Sequence, residues 1–299
     1  MGQAIIESLT ASNPFDRVVG IDTESPTILG PVHYIAADDA KVDLGDLLVM
    51  NQVKVLLFLG LLEPDLRIKR AVSRVTRILT AAHEAAIERV VIPCPNWMTV
   101  VQPHGAGPDA SDETVSLDLG DATRGQTIEA VITDWRARAP ELEIVTVRLC
   151  AVLHCQASSR FAALLEHRYL YALNRAPPAV HFIDLKDAAK QLTDVVALPK
   201  GKGALELAGH EPLTLEAVAG ILEKRMLTIP PWILRPVINL LSRFRVLRFD
   251  FSDIVLLNSS RTMSGGRLGA LDTRRQLSSR QALAKWRAER MNLVIEGDQ

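Results

Sequence analysis

Apolar positions recur along this chain with two alternating periods. Residues 3–12 place Ile5, Ile6 and Leu9 at helical spacing, and Asn13-Pro14 ends that pattern. The runs RVVGID (17–22), His33–Ala37 and VKVLLFLG (53–60) are short and strand-like, the last almost continuously apolar. Continuous runs of that kind belong to parallel strands covered on both faces. A long helix is predicted over 65–86, with Val72, Val75, Leu79 and Ala82 as its stripe. The strand RVVIP (89–93) follows, then a polar Pro/Gly-rich loop over 95–120. A helix over 122–138 carries Ile128, Val131, Ile132 and Trp135 on one face, and EIVTVRL (143–149) is the next strand. Strands alternating with helices in this way predict βαβ units in a doubly wound sheet.

Beyond residue 150 the pattern loosens. The spacing predicts a helix over 158–173, a strand VHFID (180–184) and a helix over 185–196. A strand over 204–208 and a helix over 214–224 with Thr214 at its N-cap come next. The stretch 226–257 is apolar and rich in Leu, Ile, Val and Phe, and a final helix starts near Ser278. The division expected is 1–155 for a doubly wound α/β domain and 156–299 for a smaller mixed α/β region.

Composition narrows the function. The 299 residues carry 34 Lys plus Arg against 35 Asp plus Glu, a net charge of −1. That lacks the basic excess a nucleic-acid surface needs, and 5% aromatic residues supply few stacking platforms. Three cysteines, Cys94, Cys150 and Cys155, fit a reducing compartment better than a disulfide framework. No signal peptide is evident, and the longest apolar run, Val55–Leu62, is too short to span a bilayer. A cytoplasmic protein, membrane-peripheral at most, is expected.

In order, GQAIIESL (2–9), RVVGID, HYIAADD, VLLFLG, AVSRVTRILTAAHEAAIERVVIPCP, EIVTVRL, HFIDLKDAAKQL and LDTRRQLSSRQALAKW resemble the extended short-chain dehydrogenase/reductase family of NAD-dependent epimerase/dehydratase type. The resemblance implies an α/β fold, a Rossmann-type doubly wound parallel sheet whose first strand is missing from this sequence. It implies that Gly2 is the last glycine of the dinucleotide fingerprint. Asp22, 20 positions on, would then be the acid at the end of the second strand. Such an acid accepts from the ribose 2′-hydroxyl and repels a 2′-phosphate, which favours NAD. By the same resemblance Asp38 or Asp39 lies at the adenine edge, and Leu59-Gly60 lines the pyrophosphate or nicotinamide path. The first strand and the first two glycines of the fingerprint are absent. Either the natural start lies upstream, or the chain binds a dinucleotide weakly or not at all.

The family's chemistry needs Tyr and Lys at i and i+4 on one helix, a Ser at a strand end and an Asn on the preceding helix. Here those positions fall on Asp121, Gly125, Cys94 or Pro95, and Ala71. No Tyr lies between Tyr34 and Tyr169, and no Lys between Lys69 and Lys186, so no register restores the pair. Asp121 is ionised at neutral pH unless burial raises its pKa, and Cys94 has only His104 as a neighbouring base. No catalytic residue and no metal site is therefore assigned. His33, His83 and His181 read as packing or surface residues. Cys150, His154 and Cys155 lack the second cluster that a metal pair needs.

The expected function is a non-catalytic or weakly nucleotide-binding member with a binding or regulatory role. The alternative is an NAD-dependent oxidoreductase or epimerase acting on a sugar-nucleotide or a lipid-like alcohol or ketone. A second alternative is a membrane-peripheral accessory subunit. Residues 230–249 carry Arg235, Arg243, Arg245 and Arg248 among apolar residues, with no acid until Asp250. That pattern suits a membrane surface or the rim of a substrate lid. A homodimer through the helices at 65–86 and 122–138 is the family's pairing, but Arg67, Lys69, Arg70, Arg74 and Arg77 make the first of these strongly basic.

Overall fold

A computed structural model of the chain describes residues 1–11, 13–24, 26–27, 30–38, 41–62, 68–95, 128–155, 160–173, 179–198, 203–249, 251–258 and 276–297. Every paired strand in it runs parallel to its neighbour. The elements alternate as the apolar periods predict, with α2 in addition: α1 (Gly2–Ala11), β1 (Val18–Asp22), β2 (Val32–Ala36), α2 (Leu44–Met50), β3 (Val55–Leu57), α3 (Ile68–Glu84), β4 (Arg89–Pro95), α4 (Ile128–Arg138) and β5 (Glu143–Leu149). Then come β6 (Ala151–Leu153), α5 (Arg160–Glu166), β7 (Tyr169–Ala172), β8 (Phe182–Asp184), α6 (Leu185–Ala197), β9 (Gly203–Leu207), α7 (Leu215–Leu222) and β10 (Arg225–Thr228). Helices α8 (Pro231–Arg243), α9 (Phe251–Asn258) and α10 (Ser279–Gly297) close the chain.

The main sheet has the order β3-β4-β5-β9, and β1-β2 form a separate pair. Its two inner strands, β4 and β5, are almost wholly buried, as near-continuous apolar runs require. Ala4, Ile5 and Leu9 of α1 pack with Ala189, Leu192 and Val195 of α6 over one face. Leu44 and Leu48 of α2, Val75 and Leu79 of α3, and Ile128 and Ile132 of α4 cover the other. β1 and β3 are not hydrogen-bonded to each other, yet each sends side chains into both of these cores: Val18 and Leu57 into one, Ile21 and Leu56 into the other. The layers thus form a Rossmann-type sandwich in which the β1-β2 pair stands apart from the four-stranded sheet.

A second core joins α5, β7, β10 and α7 to α10. Here the structure differs from the periodicity. The helix expected over 158–173 stops at Glu166, and Tyr169–Ala172 pairs with Arg225–Thr228 as a strand. The local preferences of YLYA are mixed, two tyrosines beside Leu and Ala, and the segment takes the sheet state because a distant partner strand is present. Residue 155 also does not separate the layers. α6 and β9 follow it in sequence but complete the first core and the main sheet. The loop expected at 95–120 lies outside the described residues, apart from Pro95, which ends β4.

Helix caps follow local chemistry. Asp43, Asp184 and Thr214 each accept a backbone N–H in the first turn of α2, α6 and α7. α7 closes on Glu223 in the left-handed region (φ 55°). Gly220, inside α7, has open space where a Cβ would stand. Gly220→Ala is therefore expected to stabilise the fold by roughly 0.5–1 kcal/mol, because alanine limits the unfolded chain without a clash. The check is an upward shift of the urea midpoint with an unchanged slope.

Candidate functional site

In an open parallel sheet, ligands sit beyond the carboxyl ends of the strands. The N-terminus of α1 reaches that edge beside the segment after β3. A Cβ built on Gly2 would stand 3.9 Å from Leu59 Cδ1, an ordinary contact. The first turn of α1 leaves backbone N–H groups without helical acceptors, which is the chemistry that holds an anion. Leu59 packs into the α1 core, and Gly60 follows it at a tight turn in which Leu62 N–H donates to the Leu59 carbonyl (2.9 Å). Arg74 Nη1 donates to the Gly60 carbonyl (3.0 Å), fixing that turn to α3. A Cβ at Gly60 would fall 2.5 Å from the Phe58 ring, so only glycine fits with the ring where it is.

Asp22 ends β1 and is exposed. Its Oδ1 accepts from the Thr23 N–H (2.7 Å) and, at longer range, from the Glu24 N–H (3.5 Å) and the Thr23 hydroxyl (3.4 Å). These donors orient the carboxylate and leave Oδ2 without a partner among the described residues. The Tyr34 hydroxyl donates to the Asp22 carbonyl (2.7 Å), locking the strand end from β2. Asp38 follows β2 in a turn that the Lys41 N–H closes on its carbonyl (2.8 Å), and its carboxylate pairs with Lys41 Nζ (3.1 Å). The structure therefore brings Gly2 and Leu59-Gly60 together and puts Asp22 and Asp38 at the ends of β1 and β2. Asp39 lies outside the described residues.

A NAD molecule would find two matching features here: an acceptor oxygen free for a ribose hydroxyl and a helix N-terminus for a phosphate.

At the carboxyl end of β4 the chemistry is different. Cys94 is fully buried at the end of β4, and burial pushes its thiol up to about 12, with the Glu129 carboxylate adding to the rise and Arg148 opposing it. That shift favours the protonated thiol over the thiolate that nucleophilic chemistry needs. Arg148 on β5 stands beside Cys94 in register. Its guanidinium bonds Glu129 on α4 and lies 3.5 Å from Glu206 on β9. This Glu129–Arg148–Glu206 bridge joins the helix to two strands. Arg148 and Glu206 were not singled out, although a cation inside an otherwise apolar strand was a usable signal. Asp121, Gly125 and His104 lie outside the described residues.

The tyrosines do not supply a substitute. Tyr34 is committed to the Asp22 strand end, and Tyr169 and Tyr171 stand on β7 in the second core. His181 is buried and donates from Nδ1 to the Gly209 carbonyl (2.9 Å), while exposed His83 pairs with Glu141 (3.0 Å). Among the described residues no group of three His, Cys, Asp or Glu side chains could hold a metal, and no helix is long and apolar enough to cross a membrane.

No family model and no curated protein matches the sequence. Solved structures do. A nucleoside-diphosphate-sugar epimerase from Staphylococcus aureus is similar with a TM-score of 0.60 at 12% identity, covering 95% of this chain and 95% of its own. MoeE5 in complex with UDP-glucose and NAD is similar with a TM-score of 0.58 at 14% identity, covering 98% of this chain and 96% of its own. UDP-N-acetylglucosamine 4-epimerase from Bacillus cereus has a TM-score of 0.57 at 14% identity, with 97% and 95% covered. By its sheet, its layers and these neighbours, the chain has the fold of the extended short-chain dehydrogenase/reductases, the NAD-dependent epimerase/dehydratase type.

Proposed function

We propose that this chain is a nucleotide-binding protein of the epimerase/dehydratase type, taking NAD at the strand crest and a sugar-nucleotide or lipid-like alcohol or ketone beneath the second core. The observation that carries this reading is the oriented Asp22 carboxylate at the end of β1, with one oxygen left to accept. Gly2 and the first turn of α1 would face the phosphates, and Leu59-Gly60 would border them. Asp22 would hold the ribose and disfavour a 2′-phosphate. The structural neighbours whose printed names include NAD and UDP-sugars support the ligand class.

A second reading, binding without turnover, has its own support. The Tyr, Lys, Ser and Asn positions carry Asp121, Gly125, Cys94 or Pro95, and Ala71. NAD would supply hydride transfer, but no described side chain at the reaction centre is placed to move the proton that accompanies it.

Titration of the full chain with NAD, NADH and UDP-glucose, read by tryptophan fluorescence and thermal shift, tests the site. Binding of NAD, weakened about ten-fold by Asp22→Ala, is the expected result, since one hydrogen bond to a charged group contributes about 1.5 kcal/mol. No shift at millimolar NAD, or an unchanged affinity in Asp22→Ala, overturns the assignment. Reduction of NAD with any bound sugar-nucleotide separates the two readings.

A further inference from the structure

Among the described residues nine large hydrophobic side chains are exposed, and six of them lie between Trp232 and Val246. They belong to α8 and the turn that ends it. α8 has two apolar sides. Leu234 and Ile238 point inward and are buried in the second core. Trp232 (76% exposed), Val237, Leu240 (56%) and Phe244 (71%) point away from it, with Ile233 between. A helix that serves only as a lid needs the first side and not the second.

The turn after α8 continues the outward face. The Arg245 N–H donates to the Ser242 carbonyl (2.9 Å) and the Val246 N–H to the Leu241 carbonyl (2.9 Å). Arg245 adopts φ 58° to make this closure, in the left-handed region that non-glycine residues rarely enter. The strained turn leaves Phe244 and Val246 both exposed.

The charge of the patch selects its partner. Arg235, Arg243, Arg245 and Arg248 are exposed, and none makes an ion pair among the described residues. No acid occurs between Lys224 and Phe249. The protein as a whole is neutral, so this concentration is local. A second copy docked across a two-fold axis would set arginine against arginine with no acid in the patch to pair them. An anionic bilayer meets both features. Trp232, Leu240 and Phe244 enter the headgroup boundary, and the arginines reach lipid phosphates from its rim.

We propose that the outward face of α8 with the Arg245 turn, residues 232–248, is a docking surface for an anionic membrane. It holds the second core against the bilayer in the interfacial plane, without spanning it.

The test is flotation of the full chain with phosphatidylcholine vesicles and with vesicles that also contain phosphatidylglycerol. Co-flotation with the anionic vesicles alone, reduced by salt, is the expected result. Arg243→Gln and Arg248→Gln should each lower the partition coefficient about five-fold. Trp232→Ser with Phe244→Ser should abolish it. All four positions are exposed, so an unchanged melting curve is the control for folding. The inference is overturned if neither vesicle floats the protein, if neutral and anionic vesicles float it equally, or if these variants bind as the parent does. It is equally overturned if light scattering shows a dimer that the same substitutions dissociate. None of these readouts involves NAD.

Discussion

Gly209→Ala destabilises the fold by about 3 kcal/mol or more and lowers the melting temperature by roughly 6–12 °C. The reason is the backbone crossing just after β9. A Cβ at Gly209 would stand 2.0 Å from the Phe182 carbonyl oxygen, 3.0 Å from Ser279 Oγ and 3.1 Å from Ser279 N. The nearest atom is backbone, so no side-chain rotation relieves the overlap. These neighbours are also tied to one another. The Ser279 hydroxyl accepts from the Phe182 N–H (3.2 Å), the Ser279 N–H donates to the His210 carbonyl (2.9 Å), and His181 donates to Gly209 itself (2.9 Å). Phe182 is fully buried in the second core, and Leu207, two residues before Gly209, is fully buried in the first. Pushing the strand end outward therefore disturbs both cores. Urea unfolding of Gly209→Ala beside Gly220→Ala is the measurement. The two substitutions add the same methyl group and should move the midpoint in opposite directions. A Gly209→Ala variant as stable as the parent would show that this crossing is looser than the structure has it.

Arg89→Ala carries the second large effect, about 3–5 kcal/mol of lost stability. Arg89 and Glu143 face each other in register on β4 and β5, and Arg89 Nη2 lies 3.0 Å from Glu143 Oε2. The guanidinium also donates to the Leu198 carbonyl beyond α6. Arg89 is only 6% exposed, so its removal takes a guanidinium and its ion pair with Glu143 out of a nearly dry site. Replacing both residues, Arg89→Met with Glu143→Leu, should restore most of the loss, because two apolar groups need no pairing. The double-mutant cycle in urea reads the coupling. A double variant as unstable as Arg89→Ala alone would mean that the Leu198 contact, not the ion pair, is the critical one.

The two effects mark different depths of information in the chain. The strand Glu143–Leu149 was readable to the residue, since its apolar run is local and uninterrupted. So were the start of α6 at Leu185 and the Thr214 N-cap of α7. The same local rules failed at Tyr169–Ala172. Nothing within those four residues distinguishes the end of a helix from a strand, and only pairing with Arg225–Thr228 decides it. α2 also went unseen, because seven residues with two buried leucines are too few to establish a period.

The candidate site divides in the same way. Gly2, Asp22, Leu59 and Gly60, the residues proposed to meet a nucleotide, can be picked out from sequence because they fall at strand ends and a helix start at fixed spacing. The Glu129–Arg148–Glu206 bridge is not, because its members come from α4, β5 and β9 and share no spacing. The arginines of 226–257 announced a cationic amphipathic stretch. Whether its apolar residues face inward or outward is a question of rotation about α8, settled by which side meets the second core.

The amino-acid sequence by itself determined the alternation of strands and helices, the parallel sheet that alternation demands, and the absence of a Tyr-x-x-x-Lys pair. These depend on residue identity and on contacts a few positions apart. Only the tertiary structure decided that β9 returns to lie beside β5, that Cys94 is shut away as a buried thiol, and that Trp232 and Phe244 stand in the open. Those outcomes depend on which distant surfaces exclude water from each side chain, and no local period encodes that.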